Sequence, residues 1–113
     1  GHSPKEMLDL EKRLGIMVEI EVDSCEMREG QQVYHLRYLT DELRGIEITQ
    51  DPDTKEVIDL PQQRIQEIAD FYFWQGTLKA LSSGFRVRKD APPDLITCFE
   101  RILRSFKLEL PLP

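Results

Sequence analysis

The segment KEMLDLEKRLGIMVEIEVD, residues 5–23, changes its period at a single glycine. Met7, Leu10 and Leu14 recur at helical spacing on one stripe, and Lys5, Glu6, Asp9, Glu11, Lys12 and Arg13 occupy the rest of the turn. From Ile16 the apolar residues fall at alternate positions. Ile16, Val18, Ile20 and Val22 alternate with Met17, Glu19, Glu21 and Asp23, which predicts a strand with one apolar and one charged face. Gly15 supplies the backbone freedom that ends the helix. A charged strand face implies solvent, so the expected sheet is antiparallel and covered on one side. The stripe of Met7, Leu10 and Leu14 reads equally as the last turns of a dimeric coiled coil or as an amphipathic helix packed on its own domain.

The same alternation continues downstream. SCEMREGQQ is a turn region centred on Gly30, and VYHLRYLT predicts a second strand in which Tyr34, Leu36 and Tyr38 share a face. GIEIT predicts a third strand with Ile46 and Ile48 inward, QDPDTKE a tight polar turn, and VIDL a short fourth strand. Pro61 then suits the first turn of a helix, with Ile65, Ile68, Ala69 and Tyr72 as its apolar stripe. That helix either carries on through FYFWQG or breaks near Gly76, restarts at Thr77 and ends at SSG. APPD opens a last helix with Pro93 in its first turn and Leu95, Ile96, Phe99, Ile102, Leu103 and Phe106 on a broad apolar stripe. The tail LELPLP is expected to be extended. Strands followed by helices make an α+β domain, with an antiparallel sheet of three to four strands and C-terminal helices on one face.

At 113 residues one core is expected. Residues 1–4, GHSP, read as an expression scar and linker at a truncation point, so the native chain is expected to extend upstream and His2 carries no weight. Residues 5–14 form the helix and 15–113 the globular domain. Residues 1–76 sum to a charge of -9 and residues 77–113 to +3, a balance that argues against direct nucleic-acid binding. No apolar run reaches the roughly 20 residues of a membrane-spanning helix.

Chemistry is sparse. His35 lies inside the second strand and reads as a surface or strand-packing histidine rather than a catalytic base. Asp51 and Asp53 in DPDTKE lack the glycine and the distal glutamate of a calcium loop, so the segment is read as a turn. Cys25 and Cys98 have no CxxC or Cys/His spacing and read as free thiols of a reducing compartment. A conjugating cysteine would need a nearby asparagine, and the chain contains none. Cys98, beside Phe99, is expected to pack in the core. No catalytic, metal or cofactor motif is present, and a non-enzymatic domain is expected. The run Phe71 to Trp74 is the most unusual feature. Read as core it needs no partner; read as an interface, Tyr72, Phe73 and Trp74 anchor an acidic, hydrophobic peptide whose acids Arg86, Arg88 and Lys89 steer.

The joint Arg13, Leu14, Gly15, followed by Ile16, Val18 and Ile20, resembles the point where a coiled coil enters the RWD-type globular heads of kinetochore proteins. These are the small head subunits of the outer-kinetochore Ndc-type complex and the related monopolin head. The resemblance implies an RWD-like adaptor in chromosome segregation, homo- or heterodimeric through an upstream coiled coil, that docks a kinetochore protein at the centromere in the nucleus. Two other readings remain: an accessory or inactive ubiquitin-pathway module of similar fold, and an enzyme subunit whose active site lies elsewhere in a longer chain; outside the kinetochore reading a cytoplasmic location is expected.

Overall fold

The computed structural model describes residues 3–45, 49–58, 62–108 and 113. In chain order the elements are α1 (Pro4–Arg13), β1 (Met17–Arg28), β2 (Gln31–Arg44), β3 (Thr49–Gln50), β4 (Val57–Ile58), β5 (Gln63–Gln75), β6 (Ala80–Arg88) and α2 (Pro93–Ser105). An N-terminal helix, a four-stranded antiparallel open sheet in the order β1-β2-β5-β6 and a C-terminal helix make the fold α+β. The two-residue strands β3 and β4 form a separate hairpin.

The helix-to-strand joint is a Schellman cap. Gly15 has φ +77°, its N–H donates to Lys12 O at 3.1 Å, and the Ile16 N–H donates to Glu11 O at 3.1 Å. These bonds satisfy two of the last carbonyls of α1 and turn the chain directly into β1. At the other end of α1, Ser3 Oγ accepts from the Glu6 N–H at 3.2 Å and Pro4 occupies the first turn. Between β1 and β2, Glu29 and Gly30 both have positive φ, 49° and 75°, the signature of a type I′ hairpin turn.

Tyr34, Leu36 and Tyr38 do share a face, and each pairs across to β5: Tyr34 with Phe73, Leu36 with Phe71, Tyr38 with Ala69. The DPDTKE segment is a turn, as expected, in which Asp51 Oδ1 accepts from the Asp53 N–H at 2.8 Å. The expected third strand lies largely on residues 46–48, outside those described. So do Pro61 and most of the LELPLP tail.

Three expectations are overturned. The segment after Pro61 is the strand β5, not a helix. Ile65, Ile68, Ala69 and Tyr72 do fall at helical spacing, but a central strand buried on both faces loses its alternation and can mimic that pattern. Its β-branched and aromatic residues favour the extended form. The expected restart at Thr77 is likewise absent, and SSG lies within β6. Gly84 is required there: a Cβ would lie 2.2 Å from Phe71 Cδ1 and 2.5 Å from the Asp70 carbonyl oxygen. Finally, the described C-terminal region holds one helix, and the sheet carries a helix on each face. Met7 and Leu8 of α1 pack on Leu36, Tyr38, Ala69 and Phe73, while Leu103 of α2 packs on Val33, Tyr72 and Trp74. The charged positions of β1 reach water because β1 is an edge strand.

Candidate functional site

The aromatic run belongs to the core. Tyr72, Phe73 and Trp74 are all buried, and successive members point to opposite faces because they lie on a strand. Trp74 packs edge to face on Phe106 with centroids 5.2 Å apart, and Tyr72 stacks on His35 at 4.3 Å. An apolar anchor made of these three side chains is therefore not offered to a partner.

The expected basic cluster is also divided. Arg86 lies under α1, where it ion-pairs with Glu11 and donates to Tyr38 Oη at 3.0 Å. Burial works against its charge, but the hydrogen bond to Glu11 leads the contributions that keep its pKa above the ordinary value. Burial likewise raises the Tyr38 hydroxyl. Arg88 and Lys89 stay exposed at the far end of the sheet, beside Arg64. Of the stripe assigned to dimerisation, Met7 is used against the sheet, whereas Leu10 and Leu14 are 46% and 67% exposed. Cys98, expected in the core, is exposed, on the side of α2 that also carries exposed Leu95 and Ile102.

Sequence reasoning missed a charge network buried beneath α2. Asp70 is fully buried; its Oδ1 accepts from His35 Nε2–H at 2.6 Å and its Oδ2 from Arg37 Nη1–H at 2.8 Å. A carboxylate can only accept, which fixes the proton on His35 Nε2. Glu26 Oε1 lies 3.3 Å from His35 Nδ1, and Arg104 of α2 approaches Asp70 at 3.5 Å. Arg37 also reaches Glu21 and Glu100, at 3.2 and 3.3 Å. Its pKa is raised: desolvation opposes the charge, and the Asp70 hydrogen bond leads the contributions that outweigh it. All of these carboxylates and cations satisfy one another. The signal that could have revealed the network is an Asp, a His and an Arg at inward positions of two adjacent central strands, which is costly unless they pair.

Where α2 ends, this network opens into a groove of about 370 Å³ lined by Met27, Arg28, Trp74, Arg104, Phe106 and Lys107, among others. Arg28 organises it. The guanidinium lies 4.0 Å from the Tyr72 ring centroid and donates to the carbonyl oxygens of Arg104 and Phe106, at 2.8 and 3.4 Å. It thus caps the C-terminus of α2, where a cation is favoured. Met27, 68% exposed, and Phe106 provide apolar surface beside Arg104, which pairs with Glu100, and Lys107, which pairs with Glu29 at 3.3 Å. The arrangement suits an apolar side chain, and an acidic flank would compete with Glu29 for Lys107. Among the described residues no group of His, Cys, Asp and Glu could hold a metal ion, and no described helix is long and apolar enough to cross a membrane. No family model, curated protein or solved structure matches the chain.

Proposed function

We propose that this chain is a non-enzymatic protein-interaction domain, an RWD-like adaptor head of a kinetochore or chromosome-segregation assembly. The groove at the end of α2 carries the reading, because it sets apolar Met27 and Phe106 beside Lys107, whose ammonium is paired with exposed Glu29 at 3.3 Å, at a rim that water reaches. A partner segment buries an apolar side chain against Met27 and Phe106, and its carboxylate takes the place of Glu29 on Lys107. Support for the head-like arrangement comes from the joint: α1 closes on Gly15 and runs straight into an edge strand, with Leu10 and Leu14 left exposed for an upstream coiled-coil partner. The helix on each sheet face is this chain's own feature.

The test is proximity labelling of the full-length protein in dividing cells, comparing wild type with a Met27→Glu, Lys107→Glu variant. Both positions are exposed, so the fold is retained. Enrichment of centromere and kinetochore components that fades in the variant is expected. Ligases or metabolic enzymes in their place would remove the kinetochore assignment, and unchanged labelling in the variant would remove the groove.

A further inference from the structure

The two edges of the sheet are not alike. β1 is defended against pairing: Glu19, Glu21 and Asp23 stand along it, and its ladder with β2 is broken by a bulge between Ile20 and Val22. Pairing two copies of β1 through its middle would crowd carboxylates. β6 has none of these features. Its register with β5 is unbroken from Glu67↔Arg88 to Gln75↔Ala80, it contains no acidic residue, and no described strand pairs with its outer edge.

Beside that edge lies the unspent part of the α2 stripe. Phe99 and Leu103 turn inward, Phe99 stacking on Phe85 of β6 at 5.6 Å. Leu95, Cys98 and Ile102, at spacings of three and four, stay in water on the adjoining side of the helix, with Ile102 61% exposed. On the opposite flank Glu100 and Arg104 face Arg37 and Asp70, toward the middle of the sheet. The exposed stripe therefore lies on the β6 side of α2.

We propose that the outer edge of β6 and this stripe of α2 pair with the same elements of a second copy of the chain, about a two-fold axis at Gly84. The sequence of β6 is self-complementary in that register. Leu81 meets Val87 and Ser83 meets Phe85 on the α2 face, while Ser82 meets Arg86, Ala80 meets Arg88, and Gly84 meets its own copy on the α1 face. No like charges oppose each other. Arg88, which has no ion pair among the described residues, comes to Ala80 of the second copy. α2 crosses the sheet obliquely: Phe99 stacks on Phe85 of β6, Leu103 packs on Val33 of β2 as well as on Tyr72 and Trp74 of β5, and Arg28 of β1 donates to the Arg104 carbonyl oxygen. The N-terminal half of the exposed stripe is therefore nearest the axis, and the two copies of α2 converge there. Cys98 of one copy faces Ile102 of the other across the axis. The result is a continuous eight-stranded sheet with an isologous interface. It is separate from the peptide groove and from the exposed leucines of α1.

Sedimentation and light scattering of the 113-residue chain test this. The wild type is expected at twice the 13.2 kDa chain mass. Ile102→Glu should give a monomer with an unchanged thermal transition of the fold. Ala80→Arg, on the exposed edge, should weaken the dimer by setting two arginines opposite, and adding Arg88→Glu should restore it. In a Cys25→Ser, Ile102→Cys background, oxidation should link Cys98 of one copy to the introduced thiol of the other. A single-chain mass at millimolar concentration overturns the proposal, as does a dimer insensitive to positions 80 and 102, which would place the contact on β1 or α1. Loss of labelled kinetochore partners without loss of the dimer would break the functional reading alone.

Discussion

Phe73 and Asp70 lie on the same strand and point to opposite sides of it, Phe73 under α1 and Asp70 under α2, and the two cores they enter are built differently. Under α1 the sheet offers Leu36, Tyr38, Ala69 and Phe73, and the ion pairs of Arg86 with Glu11 and Glu67 stand at the border. Under α2 the apolar group of Val33, Tyr72, Trp74 and Leu103 adjoins a network of His35, Arg37, Asp70, Glu100 and Arg104. Apolar contacts are forgiving of position, because burial is non-directional. Paired charges are not. The α1 face therefore supplies stability, while the α2 face fixes the register of β2 against β5 and the seat of α2 upon both.

Truncating each face should separate these roles. Asp70→Ala leaves His35 and Arg37 without their buried acceptor, and a loss of about 3–5 kcal/mol is expected from urea unfolding. Phe73→Ala should cost about 3–5 kcal/mol through cavity formation. The two differ in what rescues them. Replacing the three strand members of the set with Asp70→Leu, Arg37→Met and His35→Phe, and leaving Glu100 and Arg104 to pair on α2, should recover most of the loss, as apolar replacement of a buried ion network can. No polar change near Phe73 should do so. If the triple variant stays as unstable as Asp70→Ala, the network is not the cause and the contrast between the faces fails.

A smaller effect is expected at the point where the faces meet β6. Gly84→Ala forces a methyl against Phe71 and the Asp70 carbonyl, a backbone atom that cannot swing away. The expected cost is about 1–3 kcal/mol. Phe71→Ala in the same chain should relieve part of it, and the shortfall from additivity measures the contact. Full additivity would mean that the strain lies in the backbone and not in the ring.

How much of this could be read from the chain depended on whether polar and apolar residues still alternate along a segment. α1 and β1 leave a polar flank in water, and central β2, though buried on both faces, sets His35 and Arg37 between Tyr34, Leu36 and Tyr38, so periods of 3.6 and 2 survive in the sequence. The Gly15 joint and the start of α2 at Pro93 were legible because caps and first-turn prolines act locally. β5 was not, since its apolar residues lie on both faces and fit either period. β6 was lost with it, because SSG resembles a helix stop unless Phe71 is known to lie over Gly84. The aromatic run was assigned partly to an interface on the premise that four neighbours cannot all turn inward from a helix. From a strand they can, two to each core. The groove was invisible for another reason: Met27 with Arg28, Trp74, and Lys107 come from three distant stretches of the chain and meet only through the fold.

The mildest expectation uses the same pair of chemical groups as the buried network, moved into water. Asp41 and Arg64 are paired on the α2 face beyond the reach of the helix, with Arg64 donating to the two carboxylate oxygens at 3.0 and 2.5 Å. The Arg64 hydrogen bonds, with help from Gln66, hold the Asp41 carboxyl below the ordinary carboxylate range. A carboxyl whose pKa is depressed by folding contributes stability above its unfolded pKa, about 3.9, and loses it as pH falls through the lower folded value. Asp41→Asn should therefore lower the thermal midpoint slightly at neutral pH, and the difference from wild type should vanish in acid. Since Arg64 is exposed and Asp41 partly so, added salt should shrink it as well. A salt-insensitive loss as large as that of Asp70→Ala would mean that pairing matters equally in water and under α2, and that burial is not what makes the Asp70 network demanding.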